Sequence, residues 1–141
     1  MSKRLRKSHY KAIEDEIRFY HTTKKELEEL RINVVLGASF QEQRDENMGG
    51  GSSGFISNPT EQRALLLQMD RRIERMQKTL NAIETVLNQL SDEDKQLIHF
   101  RYWDKGKPTW TWIANRLNMS ESTAKRKRKE VVYRIAERLG Y

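Results

Sequence analysis

The sequence predicts an all-α protein: a long N-terminal helical hairpin of coiled-coil type, followed by a C-terminal helix-turn-helix domain. Three observations carry this. Apolar residues from Leu66 to Leu90 recur at steps of three and four. Thr109–Arg128 reads as two short helices around a tight turn, the second heavily basic. The positive charge is also confined to one end. Arg101–Tyr141 holds 11 of the 27 Lys and Arg and 4 of the 20 Asp and Glu, so the chain's whole net charge of +7 lies there.

Composition removes several classes of function. Without cysteine there is no disulfide framework and no cysteine metal site. His9, His21 and His99 lie far apart without ligand spacing, so neither metal nor cofactor is expected. No apolar run approaches the roughly 18 residues of a membrane span. MSKRLRKSHY lacks the apolar core of a secretory leader, so a cytoplasmic protein without a membrane partner is expected. The first ninety residues show no nucleophile beside a base. Glu14, Asp15 and Glu16, like Glu26, Glu28 and Glu29, read as charged helix faces, so no catalytic residue and no enzyme is expected.

Taken in order, Lys3, Arg4, Arg6 and Lys7 open the chain as a cationic, frayed helix start, with bracing against phosphates as the alternative reading. From Leu5 to Val35, Tyr10, Ile13, Ile17, Tyr20, Leu27 and Val34 follow helical spacing with no Gly or Pro between them. Such a helix would be about 45 Å long and needs a partner face. Gly37–Ser57 breaks the pattern: QEQRDEN is polar and MGGGSSG has linker composition. Gly49–Gly51 imitates a phosphate loop without the strand and Gly-Lys-Ser/Thr that one requires. Asn58-Pro59-Thr60-Glu61 then starts a helix, with Asn58 as cap. Its seam of Leu66, Met69, Ile73, Met76, Leu80, Ile83, Leu87 and Leu90 packs antiparallel on the first helix or forms a homodimeric coiled coil. The expected organisation is therefore long helix 1 over 1–36, a flexible linker over 37–58, long helix 2 over 59–90 and a helix-turn-helix domain over 91–141.

In that last domain, Ser91-Asp92-Glu93-Asp94 starts a helix with acids at its positive end, and Leu97, Ile98, Tyr102 and Trp103 turn inward. Asp104–Pro108 ends it. Thr109 caps the next helix, whose Trp110, Ile113, Ala114 and Leu117 share one face. Asn118 suits the left-handed residue that ends this helix, and Ser120 caps the last one.

A helix fits the DNA major groove and reads bases from its first turns. With Ala124, Arg128, Val131, Ile135 and Leu139 inward, the outer face presents Ser122, Lys125, Arg126 and Lys129, with Thr123 at the flank. Those five are the expected base readers. Arg126 leads, because a guanidinium grips guanine O6 and N7 together. Lys105, Lys107, Thr109, Thr111, Arg116, Ser120 and Lys127 are expected at phosphates, Thr109 and Ser120 through helix N-termini. Lys127 stands where an apolar residue is usual; either its methylenes lie on the core, or the register is shifted. Trp112 cannot share the Trp110 face and is expected at a contact with polymerase or a second protomer, or against the 103–108 loop.

Ala114, Asn118, Met119 and Ala124, with SDEDKQLIHFRYWDKG before them, resemble the promoter-reading region 4 of sigma-70 factors. With its Arg134–Gly140 tail, the whole chain resembles the RinA/ArpU family of phage transcriptional regulators, more closely over Leu87–Gly140 than before it. That resemblance implies a sequence-specific activator of phage late genes. It would bind a double-stranded promoter or operator and act with host RNA polymerase in the bacterial cytoplasm. A small-terminase-like DNA-packaging protein is the alternative.

Overall fold

The structure, a computed structural model, describes residues 4–46 and 59–141. Among them all regular secondary structure is helical: α1 (Lys7–Arg18), α2 (Tyr20–Glu46), α3 (Pro59–Asn88), α4 (Asp92–Ile98), α5 (Trp110–Arg116) and α6 (Glu121–Arg138). Helix α4 runs on as one π-helical turn over His99–Trp103. The helices fall into two compact units, one of Met1–His21 with Lys78–Tyr141, the other of Thr22–Gln77.

In the first unit, α6 is the hub on which α1, α4 and α5 all pack. Ala124, Val131, Val132, Ile135 and Ala136 are buried along it. This stripe is broader than Ala124, Val131 and Ile135 alone, because three neighbours cover the helix rather than one. Ile13 and Ile17 of α1, Leu80, Ile83 and Val86 of α3, Leu97 and Ile98 of α4, and Ile113 of α5 complete the core.

Local chemistry sets the helix ends. Ser91, Thr109 and Ser120 each stand in extended backbone and accept a hydrogen bond from the N–H three residues on, at 3.2, 3.2 and 3.1 Å. These bonds satisfy donors that a helix start otherwise leaves open. Helix α5 ends at Asn118, φ +57°, with Asn118 N–H bonded to the Asn115 carbonyl and Met119 N–H to that of Ala114. Helix α6 ends the same way at Gly140, φ +89°, with Tyr141 N–H reaching the Ala136 carbonyl. Both are paired-bond terminations that need one left-handed residue.

The continuous first helix expected from spacing is interrupted at Phe19. There the Trp103 indole N–H donates to the Ile17 carbonyl at 2.8 Å, an oxygen that an unbroken helix would use internally. A side chain far away in sequence thus meets the chain where the helix is interrupted. At its other end α2 differs again: it continues through Gly37 to Glu46, where a linker was expected to begin. A single helical glycine costs only about 1 kcal/mol, and the Gln, Glu and Arg that follow favour helix. The Asn58 cap and the Gly49–Gly51 reading lie outside the described residues.

In the second unit, Leu27 is buried, Leu66, Met69, Ile73 and Met76 are half-buried, and Arg31 donates to the Gln77 side-chain carbonyl. Ile32, Val35, Leu36, Leu65 and Leu67 stay exposed.

Candidate nucleic-acid interface

Helix α6 turns Ser122, Lys125, Arg126 and Lys129 outward, all exposed, with Thr123 half-buried at the flank. Lys129 reaches over the Tyr133 ring at 5.6 Å. No ion pair to Lys125 or Arg126 occurs among the described residues. Capping is shared near the head of the helix: the Ser120 hydroxyl meets both Thr123, at 2.8 Å, and Ser122, at 3.2 Å.

The residues expected at phosphates have different surroundings. Lys105, Lys107 and Arg116 are exposed, and Lys107 has φ +46°. Thr109 and Ser120 are occupied as caps. Thr111 donates to Glu121, tying α5 to the head of α6. Lys127 is paired with Asp94 of α4 at 3.0 Å, and this hydrogen bond raises its pKa. Its usually apolar slot is therefore filled by an ion pair that fastens α4 to α6. Trp112 is 46% exposed and packs edge-on against Phe100, ring centres 5.1 Å apart.

Behind the outer face lies a cluster that periodicity did not reveal. The Arg128 guanidinium donates to Glu14 at 3.0 Å, and the Tyr102 hydroxyl donates to the same carboxylate oxygen at 2.6 Å. Both charged side chains are 17% exposed. Glu14 is therefore not part of a solvated charged face, which corrects the reading from sequence. Burial works against the Arg128 charge, but Tyr10, Tyr102 and Glu14 around it more than offset this, and its pKa rises. Burial, then the bond to Glu14, pushes the Tyr102 hydroxyl far above its ordinary range. Half-buried Trp110 lies between two guanidinium groups, Arg101 at 4.8 Å and Arg128 at 5.0 Å from its ring centre. The π-helical turn adds one residue per turn, and from it Tyr102 and Trp103 both reach α1. The available signal was Glu14 four residues after Tyr10, at the edge of the apolar stripe, facing an arginine in an otherwise apolar stripe of α6.

A basic helix held by its back and open at its front can bind a polyanion, and the comparisons with known proteins bear on which. A family described as a protein of unknown function, DUF722, matches residues 1–137. The chain belongs to this family. It is also 26% identical over 136 residues to the transcriptional activator rinA of Staphylococcus phage phi11, covering 96% of this chain and 94% of that one. The similarity thus takes in both the N-terminal helices and the basic C-terminal part, as the RinA-like resemblance implied. No solved structure matches. Among the described residues no group of acids and histidines is arranged to hold a metal ion, and no helix is long and apolar enough to cross a membrane.

Proposed function

We propose that the chain is a phage transcriptional activator that binds double-stranded DNA in a sequence-specific way, through α5 and α6 acting as a helix-turn-helix. One observation carries the reading. Helix α6 is locked by an apolar and ion-paired back while Ser122, Lys125, Arg126 and Lys129 stand exposed on its front. The near full-length similarity to a transcriptional activator supports the same reading.

In this reading Arg126 grips guanine, with Ser122, Thr123, Lys125 and Lys129 beside it. Lys105, Lys107, Arg116 and the caps at Thr109 and Ser120 hold the backbone. Lys127 and Thr111 act one step removed, since their polar ends are engaged by Asp94 and Glu121 and set the angle between helices. Trp112 is the contact to host RNA polymerase near late promoters. The long helices pair as a hairpin, and their exposed Ile32, Val35, Leu36, Leu65 and Leu67 meet a second copy.

Footprinting on the DNA of the phage that encodes the chain tests this. A discrete protected site is expected, with binding that weakens steeply with salt. Arg126→Ala should lose about 1–3 kcal/mol of discrimination at one base pair. A uniform, salt-insensitive pattern would remove the proposal.

A further inference from the structure

We propose that the N-terminal helix supplies a second phosphate-binding surface, so that the groove between α1 and α6 receives the DNA backbone beyond the stretch read by the head of α6. This rests on the DNA-binding reading above and extends it to a part of the chain that reading does not use. The groove encloses about 460 Å³, and Arg4, Lys7, Lys11, Arg18, Arg101 and Lys129 line it. Glu14 is the one carboxylate in the lining, and Arg128 and Tyr102 already occupy it.

Six cations in one groove repel each other, and among the described residues only Asp15, beside Arg18, and Glu14, already engaged by Arg128 and Tyr102, stand against them. Arg18 has a partial partner in Asp15, at 3.0 Å. Arg101 lies over the ring faces of Tyr102 and Trp110, and among the described residues its buried Nε has no hydrogen-bond partner. The first turn of α1 adds to the crowding. It holds no acidic residue, and Arg6 at its cap position forms no side-chain cap, although this helix end favours negative charge. The wall is nonetheless preformed. The Leu5 N–H donates to the Tyr133 hydroxyl at 3.3 Å, and the His9 and Tyr141 rings meet at 4.8 Å.

Position selects DNA among polyanions. Ser122, Arg126, Lys129 and Tyr133 follow one another at steps of four, three and four, forming a single outward stripe on α6. The first three belong to the proposed reading face, and the last two line the groove, so Lys129 joins the two. From Ser122 to Tyr133 is about 16 Å along the axis, so a duplex seated on the head of α6 brings its flanking backbone to α1. A wide-mouthed row of flexible lysines and arginines suits a run of phosphodiesters better than one small anion.

The test uses the full chain and a fluorescein-labelled duplex of about 30 base pairs, carrying the protected sequence or a scrambled one, titrated across salt. Lys7 and Lys11 are exposed, so Lys7→Ala/Lys11→Ala should melt like the wild type. It should bind both duplexes about 5–30-fold more weakly at 0.1 M salt, with a salt slope shallower by nearly 2, roughly one unit per lost phosphate contact. Discrimination between the duplexes should persist, whereas Arg126→Ala should lose it. Wild-type affinity and slope in the double variant, with Arg126→Ala still defective, would overturn the groove and leave the reading face standing. Normal DNA binding with lost capture of purified RNA polymerase would also overturn it, by assigning the groove to an acidic protein surface. If the double variant melts low, the slope of Lys7→Gln decides instead, and an unchanged slope overturns the proposal. A wild-type chain that binds neither duplex removes the function reading itself.

Discussion

The two units of this chain use helices in opposite ways. In Met1–His21 with Lys78–Tyr141, short helices cross at a packed core and hold a half-buried ion pair. In Thr22–Gln77, among the described residues, parts of two long helices bury Leu27 and leave five large apolar side chains exposed. The first unit draws its stability from contacts distant in sequence. The second relies on helix propensity and a narrow seam, so it has little core to lose and much apolar surface to share.

The largest effect expected from that contrast is in core truncation. Ile135→Ala or Ile17→Ala, at fully buried sites, should cost about 2–5 kcal/mol by thermal or urea melting. Ile32→Ala, at a site 58% exposed, should stay within about 0.5 kcal/mol. Equal costs would erase the distinction. Next comes the ion pair between α1 and α6. Glu14→Ala leaves Arg128 and Tyr102 without their acceptor and should cost about 1.5–3 kcal/mol, with Glu14→Gln retaining part of this. A double-mutant cycle with Arg128→Met isolates the pair. Smaller still is the turn: Asn118→Val forces a branched residue into left-handed backbone and should cost about 1–2 kcal/mol, while Asn118→Gly should be near neutral.

Alkaline pH separates the units without mutation. Burial, then a hydrogen bond to Glu84, pushes Tyr20 up to about 12 from an ordinary 10.0, and Tyr102 is raised further. A hydroxyl raised on folding contributes its full stability below pH 10 and loses it as pH rises through the folded value. The first unit should therefore weaken between pH 10 and 12, and Tyr20→Phe should flatten that decline in melting temperature. The mildest change in stability, with the clearest change in assembly, is expected of Leu65→Ser/Leu67→Ser. Sedimentation should show loss of the proposed self-association with the helix signal kept.

Much of the fold was legible in the residues because it follows short-range rules. The stripe of α6, the caps at Thr109 and Ser120, the helix start at Ser91–Asp94 and the left-handed Asn118 each depend on neighbours within a turn. The outer basic face of α6 could be named for the same reason, since it is the complement of a buried stripe. Lys127 and Glu14 could not be placed, because their partners Asp94 and Arg128 sit 33 and 114 positions away. The break at Phe19 was equally invisible; the indole that bonds the carbonyl beside it belongs to Trp103, 86 positions from Ile17.

The amino-acid order by itself determined most of the helical segments, where the short C-terminal ones start, and which end of the chain carries the positive charge. Periodicity, capping and formal charge act within a few residues. Only the tertiary structure decided that α1 leaves its own long helix to pack against α6, turning a charged face into half of an ion pair and a frayed basic start into the wall of a groove. That choice rests on burial and on hydrogen bonds between distant residues, which form only once the chain has folded back on itself.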